Sequence, residues 1–146
     1  MPPVYPLEIR PFVKGGRYTH MAKRDAAVWE RFLDKFAGAY LGVAYDVALG
    51  GTVLPSGSAT DDERLGWQYS TALKIDAVIV GADHALIAEV RPWATLSPLG
   101  AALGYTLVAR REQLLTVPMA PAIICEGAHV DVKWIAQQLG ITIFEV

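Results

Sequence analysis

Apolar residues first recur at helical spacing at Val28, Trp29, Phe32, Leu33 and Phe36, with Gly38 close behind. A period of about 3.6 puts those side chains on one stripe, so the pattern predicts an amphipathic helix from about Asp25. Tyr40 to Leu49 then reads as a strand. Residues 50–66 read as a turn-rich loop with an acidic run at Asp61-Asp62-Glu63, after which Trp67 to Tyr69 is expected to resume the sheet. Two further strand-like runs, Lys74 to Val80 and Ala85 to Arg91, are joined by Gly81-Ala82-Asp83-His84, a hairpin-length connection.

Ser97-Pro98 reads as an N-cap followed by proline at the first helical position, opening a helix through Leu99, Leu103, Leu107 and Arg111. Arg110 and Arg111 suit its C-terminal dipole. The spacing Gly100-x-x-x-Gly104 predicts close helix packing. Ala122 to Cys125 follows as a strand, Asp131 to Leu139 as a helix closed by Gly140, and Ile141 to Val146 as a last strand. Helices alternating with strands imply an α/β domain: a mixed β-sheet flanked by helices on both faces.

The hairpin can be read in register. Pairing symmetric about its four-residue connection places Ile75, Ala77 and Ile79 opposite Val90, Ala88 and Leu86 on one apolar face. The other face carries Asp76 opposite Glu89 and Lys74 opposite Arg91 at its open end. Opposed like charges cost a few tenths to about 1 kcal/mol unless compensated. Two arrangements compensate them: a diagonal quartet, with Arg91 on Asp76 and Lys74 on Glu89, or a shared divalent cation of the Mg²⁺ kind held by both carboxylates.

Composition allows one packed domain: 146 residues, 53% hydrophobic and 19% charged. No apolar run approaches the roughly 20 residues of a bilayer span, and MPPVYPLEIR lacks the charged-then-apolar design of a signal, so no membrane association and a cytoplasmic location are expected. Cys125, the only cysteine, sits in the apolar run AIIC and reads as a buried small hydrophobe. His20, His84 and His129 have no zinc-site spacing and read as structural or solvent-facing.

The formal net charge of −2 argues against nucleic-acid binding by bulk electrostatics. Residues 1–24, however, carry Arg10, Lys14, Arg17, Lys23 and Arg24 against Glu8 alone, a net +4 that leaves −6 for residues 25–146. With Pro2, Pro3, Pro6 and Pro11 blocking regular structure, this stretch reads as an extended basic arm before a single domain, suited to a phosphate backbone or to another subunit's acidic surface.

KIDAVIV (74–80), AEVRPWATLSPLGAALGY (88–105), PAIICEG (121–127) and GITIFEV (140–146), together with the helix at 25–36, resemble the core of PD-(D/E)XK nucleases, the restriction-endonuclease-like fold. The resemblance implies Asp76 and Glu89 as ligands of Mg²⁺, the Val90 carbonyl as a further ligand, and Arg91 in the position of the catalytic lysine. It also matches Tyr105 to a tyrosine of the following helix and Glu30 to an acidic residue of the first, while Ala101 or Ala102 stands where members often carry glutamine. Arginine keeps its charge but cannot lose a proton to act as a base, so Lys74 is the alternative cation. Two functions follow as expectations. One is metal-dependent DNA cleavage or end processing, weakened or lost. The other is a non-catalytic structural subunit, for example in a phage head or neck, joined to its neighbours through the arm and located in the virion. A flavodoxin-like ligand module fits the element order less well.

Overall fold

The computed structural model describes residues 7–16, 18, 20–54, 57 and 59–146. Its elements are α1 (Lys23–Phe36), β1 (Gly42–Leu49), α2 (Asp61–Thr71), β2 (Leu73–Val80), β3 (Ala85–Val90), β4 (Trp93–Ala94), α3 (Leu96–Arg111), β5 (Met119–Cys125), β6 (Gly127–Ala128), α4 (Val130–Gln138) and β7 (Thr142–Glu145). The main sheet runs β1-β2-β3-β5-β7, antiparallel from β1 to β3 and parallel from β3 to β7. The expected α/β architecture with a mixed sheet is present. Apolar side chains of β3 and β5 alternate between two layers, as strand geometry demands. Leu86, Ala88, Val90, Ala122 and Ile124 pack beneath the stripe of α1, whereas Ile87, Ile123 and Cys125 lie in the clusters that hold α3 residues. Cys125 is buried, as its run suggested.

Every residue of β3 is buried, which fits a central strand covered on both sides and puts Glu89 inside the protein. At the sheet's antiparallel end the alternation breaks. Asp46 adopts φ 49°, and beyond it Val47, its partner Ile75, and Leu49 join the same cluster as Ala44 and Val78. The expected place of Ile75, on the α1 face opposite Val90, is therefore corrected: its ladder partner is Val47.

Several other expectations change. Trp67 to Tyr69 lies in α2, not in a strand, and the acidic run is that helix's first turn. Thr60 accepts from the Glu63 N–H while the Glu63 carboxylate accepts from the Thr60 N–H, a capping box whose three acidic residues suit the helix N-terminus. α3 begins before the expected cap: Thr95 is the N-cap, and Ser97 and Pro98 lie in the first turn, where N–H groups lack helical partners anyway. Its packing residues are Leu99, Ala102, Thr106 and Ala109, while Leu107 is exposed. A Cβ placed on Gly100 or Gly104 meets nothing within 4 Å, so those glycines make no close helix contact. At the end of α4 Gly140 has φ 69°, the left-handed exit expected of it.

The described part of residues 1–24 runs along the body and is not a detached arm. Arg10 and Val43 exchange backbone hydrogen bonds of 2.8 and 2.9 Å, and Phe12, Tyr18 and Met21 pack against the α1 cluster. Gly42 is required here, because a Cβ would stand 2.7 Å from the Arg10 carbonyl oxygen. Lys14 pairs with Asp34 at 2.7 Å, and Lys23 and Arg24 are already helical. Pro2, Pro3, Pro6 and Arg17, which contributed to the expectation of an arm, lie outside the described residues.

Candidate functional site

The hairpin ladder follows the expected register from Val80↔Ala85 to Ala77↔Ala88 and stops there. Asp76 and Glu89, next in line, are not laddered. Instead the Val90 N–H donates to Asp76 Oδ2 at 3.0 Å, so a side chain takes the place of a ladder bond there. The two carboxylates stay together because one side chain holds both. Arg91 Nη1 reaches Asp76 Oδ2 at 2.8 Å and Nη2 reaches Glu89 Oε2 at 2.8 Å. Nη1 also donates to the Val90 carbonyl at 2.7 Å. The guanidinium thus contacts the same three residues, two through carboxylates and one through its carbonyl, that the resemblance assigns to a metal ion.

Lys74 is not part of this group. It pairs in the ladder with Ala48, and its ammonium donates to the carbonyls of Tyr69 and Ala72 while lying 4.1 Å from the Tyr69 ring centroid. The C-terminal end of α2 is a favourable place for a cation. The expected opposition of Lys74 to Arg91 fails because the ladder ends before reaching them, and only the Arg91 half of the diagonal quartet forms.

Glu30 is also elsewhere, accepting from the Gly15 N–H at 3.0 Å and from the Tyr18 hydroxyl at 3.3 Å. The acidic residue of α1 whose charge reaches the site is Asp25, which adds a small upward push to Asp76 and Glu89 after the larger effect of burial. Its position in the first turn of α1 was readable, but which turn faces the hairpin's open end was not. Tyr105 does lie near. Burial raises its pKa first, and the charges of Glu89 and Asp76 raise it further. His20 and His84 pair with Asp46 and Asp83, and His129 Nδ1 accepts from the Asp131 N–H as the cap of α4.

Charge in the group is tightly balanced. Glu89 keeps only 2% of its surface exposed, and burial first, then the Asp76 charge, pushes its pKa up to about 7 against the pull of Arg91. Burial also raises Asp76, opposed by the Val90 N–H and by Arg91. Burial works against the Arg91 charge, yet the charges of Glu89 and Asp76 outweigh it and raise its pKa. One atom is left out: Glu89 Oε1 is buried and accepts no hydrogen bond among the described residues.

A consequence can be measured. A carboxyl raised from 4.5 to about 7 on folding favours the folded state while protonated, so its contribution is complete below pH 4.5 and fades as pH rises through 7. Urea unfolding should show stability falling between pH 5 and pH 8 by up to about 3 kcal/mol from Glu89. Glu89→Gln should flatten that slope. An unchanged slope in the variant would assign the effect to other groups.

Asp76, Glu89 and the Val90 carbonyl form an all-oxygen donor set of the type hard divalent cations take. The orphaned Oε1 fits such a cation too. Among the described residues, though, no three His, Cys, Asp or Glu side chains gather into a metal cluster, and Arg91 already supplies a positive charge at these oxygens. Among the described residues no helix is long and apolar enough to cross a membrane. Comparison of the chain with family models, curated proteins and solved structures finds no match.

Proposed function

We propose that the chain is a nuclease-like domain, with a restriction-endonuclease-like core, whose catalytic centre is closed by its own arginine, and that it serves as a non-catalytic subunit of a larger assembly that contacts DNA. The observation that carries this reading is the Arg91 guanidinium spanning Asp76, Glu89 and the Val90 carbonyl. The order of elements supports it as well: α1, the antiparallel strands β1, β2 and β3 with α2 inserted after β1, then α3 and β5 parallel to β3 contain the series on which the resemblance rests. Three of the four tryptophans, Trp67, Trp93 and Trp134, are exposed, which suits a surface that other protein subunits cover.

Hydrolysis of a phosphodiester in such a centre needs a cation that polarises the phosphate and acidifies a bound water, and a lysine beside it. Asp76, Glu89 and the Val90 carbonyl would hold Mg²⁺ there. In this chain the same groups hold a guanidinium, which is always charged and offers no exchangeable ligand position for water. Lys74, the alternative cation on the hairpin, is tied to the end of α2. The orphaned Glu89 Oε1 favours a second reading, in which Mg²⁺ displaces Arg91 and metal-dependent DNA cleavage survives.

Arg91→Lys separates the two. Wild type is expected to bind neither Mg²⁺ nor Mn²⁺ by calorimetry and to leave DNA intact, whereas Arg91→Lys should gain metal binding and chelator-sensitive cleavage. Lys74→Ala should alter neither result. Cleavage by wild type that chelator abolishes would establish the second reading, and silence of both proteins with no metal bound would remove the nuclease resemblance as a guide to this site.

A further inference from the structure

A cavity of about 300 Å³ lies between the N-terminal segment and β1, and the Arg91 reading makes no use of it. Its volume is at the small end of the range for ligand pockets. Tyr18, Tyr45 and Tyr69 line it, together with the acidic residues Glu8, Asp46 and Asp76. The rings of Tyr18 and Tyr45 stand 5.6 Å apart and are tilted by 56°. Asp46 reaches the cavity wall from a left-handed backbone position that few residue types accept, at the kink that breaks the alternation of β1.

The polar groups of this cavity are only partly used. Asp46 Oδ2 pairs with His20 Nε2 at 2.9 Å and accepts from the Tyr69 hydroxyl at 3.3 Å, while Oδ1 accepts nothing among the described residues. The Tyr45 oxygen accepts from Trp29 Nε1 at 2.9 Å, and burial pushes its pKa up to about 12, so its hydroxyl keeps its proton. The cation at the rim, Arg10, is 62% exposed and bonded to Glu8 at 2.8 Å. Arg91 holds Asp76 and Arg10 holds Glu8, so among the described residues Asp46, bonded to His20 and the Tyr69 hydroxyl, is the lining carboxylate with no lysine or arginine partner. The Tyr69 ring already carries the Lys74 ammonium, so the electron-rich rings of Tyr18 and Tyr45 beside that carboxylate are the ones that attract positive charge and repel phosphate.

We propose that this cavity binds a small organic cation, an ammonium group on a short apolar stem, with its charge at Asp46 and its stem against the tyrosine rings. His20 then competes with the ligand for Asp46, since both are drawn to the same carboxylate. The cation can be a free amine or a lysine side chain of a partner; the recognised chemistry is the same. The cavity shares Asp76 with the Arg91 group, but Asp46, where the cation sits, makes no contact with Arg91 among the described residues.

Calorimetry on the full chain tests this with n-butylammonium, with the N-acetyl amide of lysine, and with 1-butanol and butyrate as neutral and anionic counterparts. Saturable binding of one n-butylammonium is expected, with 1-butanol and butyrate weaker by at least about tenfold, the scale of a lost charge-assisted hydrogen bond. Equal or tighter binding of the lysine amide would identify a side chain as the natural source, and weaker binding a free amine. Asp46→Asn should weaken the ammonium by a similar factor, because asparagine tolerates the left-handed backbone and removes only the charge. His20→Ala should tighten it. Equal affinity for 1-butanol, preference for butyrate, no effect of Asp46→Asn, or weakening by His20→Ala would each overturn the proposal. If Asp46→Asn does not fold, Tyr18→Leu takes its place: lost ring contact should weaken n-butylammonium more than 1-butanol, and equal weakening of both would overturn the assignment.

Discussion

Arg91→Met is expected to destabilise the protein by about 3 kcal/mol at pH 8 and by much less at pH 5. Removing one partner of a buried pair costs roughly 3–5 kcal/mol, because the charge left behind has no compensation. The low end applies here, since the Arg91 side chain keeps 39% of its surface exposed and water already screens it in part. Without the guanidinium, Asp76 and Glu89 face each other as like charges, and Glu89, already raised to about 7, stays protonated to a still higher pH. Folding then takes up a proton over a wider range, so stability falls more steeply as pH rises. Urea titrations at the two pH values measure this, and equal losses at both would show that Arg91 stabilises by packing alone. Added Mg²⁺ should restore stability to Arg91→Met as its concentration rises above the dissociation constant, while leaving wild type unchanged.

Trp29→Ala should cost about 3–5 kcal/mol, the usual range for deleting a large buried aromatic. Trp29 is fully buried, stacks on Phe32 with centroids 5.2 Å apart, and meets the Tyr45 ring edge-on at 5.6 Å. Its indole N–H also satisfies the Tyr45 oxygen, so the variant loses a hydrogen bond along with the packing. Trp29→Phe should recover most of the packing and leave a deficit of about 1 kcal/mol for the bond. A smaller loss for Trp29→Ala than for Trp29→Phe would contradict this account of the α1 face.

What could be read from the sequence was set by how local the determining forces are. The stripe of α1 and the ladder near the turn of the hairpin depend on spacing within a few residues, and both stand as expected. The far end of the hairpin does not. Its ladder ends at Ala77↔Ala88, and beyond it the Val90 N–H is taken by the Asp76 carboxylate, while β3 stays paired with β5 on its other edge along its whole length. Lys74 was misplaced for the same reason. α2 was missed although Thr60-x-x-Glu63 is a capping-box pattern, because its apolar residues Leu65, Trp67 and Tyr69 form no buried stripe and the preceding turn residues read as a loop. The carboxylates and arginine of the site were legible as residue types in register. That one guanidinium would bridge both carboxylates was not, because it depends on side-chain reach beyond the ladder.

The backbone exchange between Arg10 and Val43 bears on how open the sheet's rims are to a further strand. A mixed sheet has two rims, each a row of unused amide and carbonyl groups onto which a stray strand can add. At the β1 rim those groups are taken at Val43 by the chain's own N-terminal segment, and the left-handed turn at Asp46 bends the remainder out of a straight template. At the other rim β7 is four residues long, and its Glu145 is paired with Lys133 of α4. A short rim carrying charge is a poor seed for intermolecular pairing, so self-association through the sheet is blocked on one side by a strap of chain and on the other by brevity.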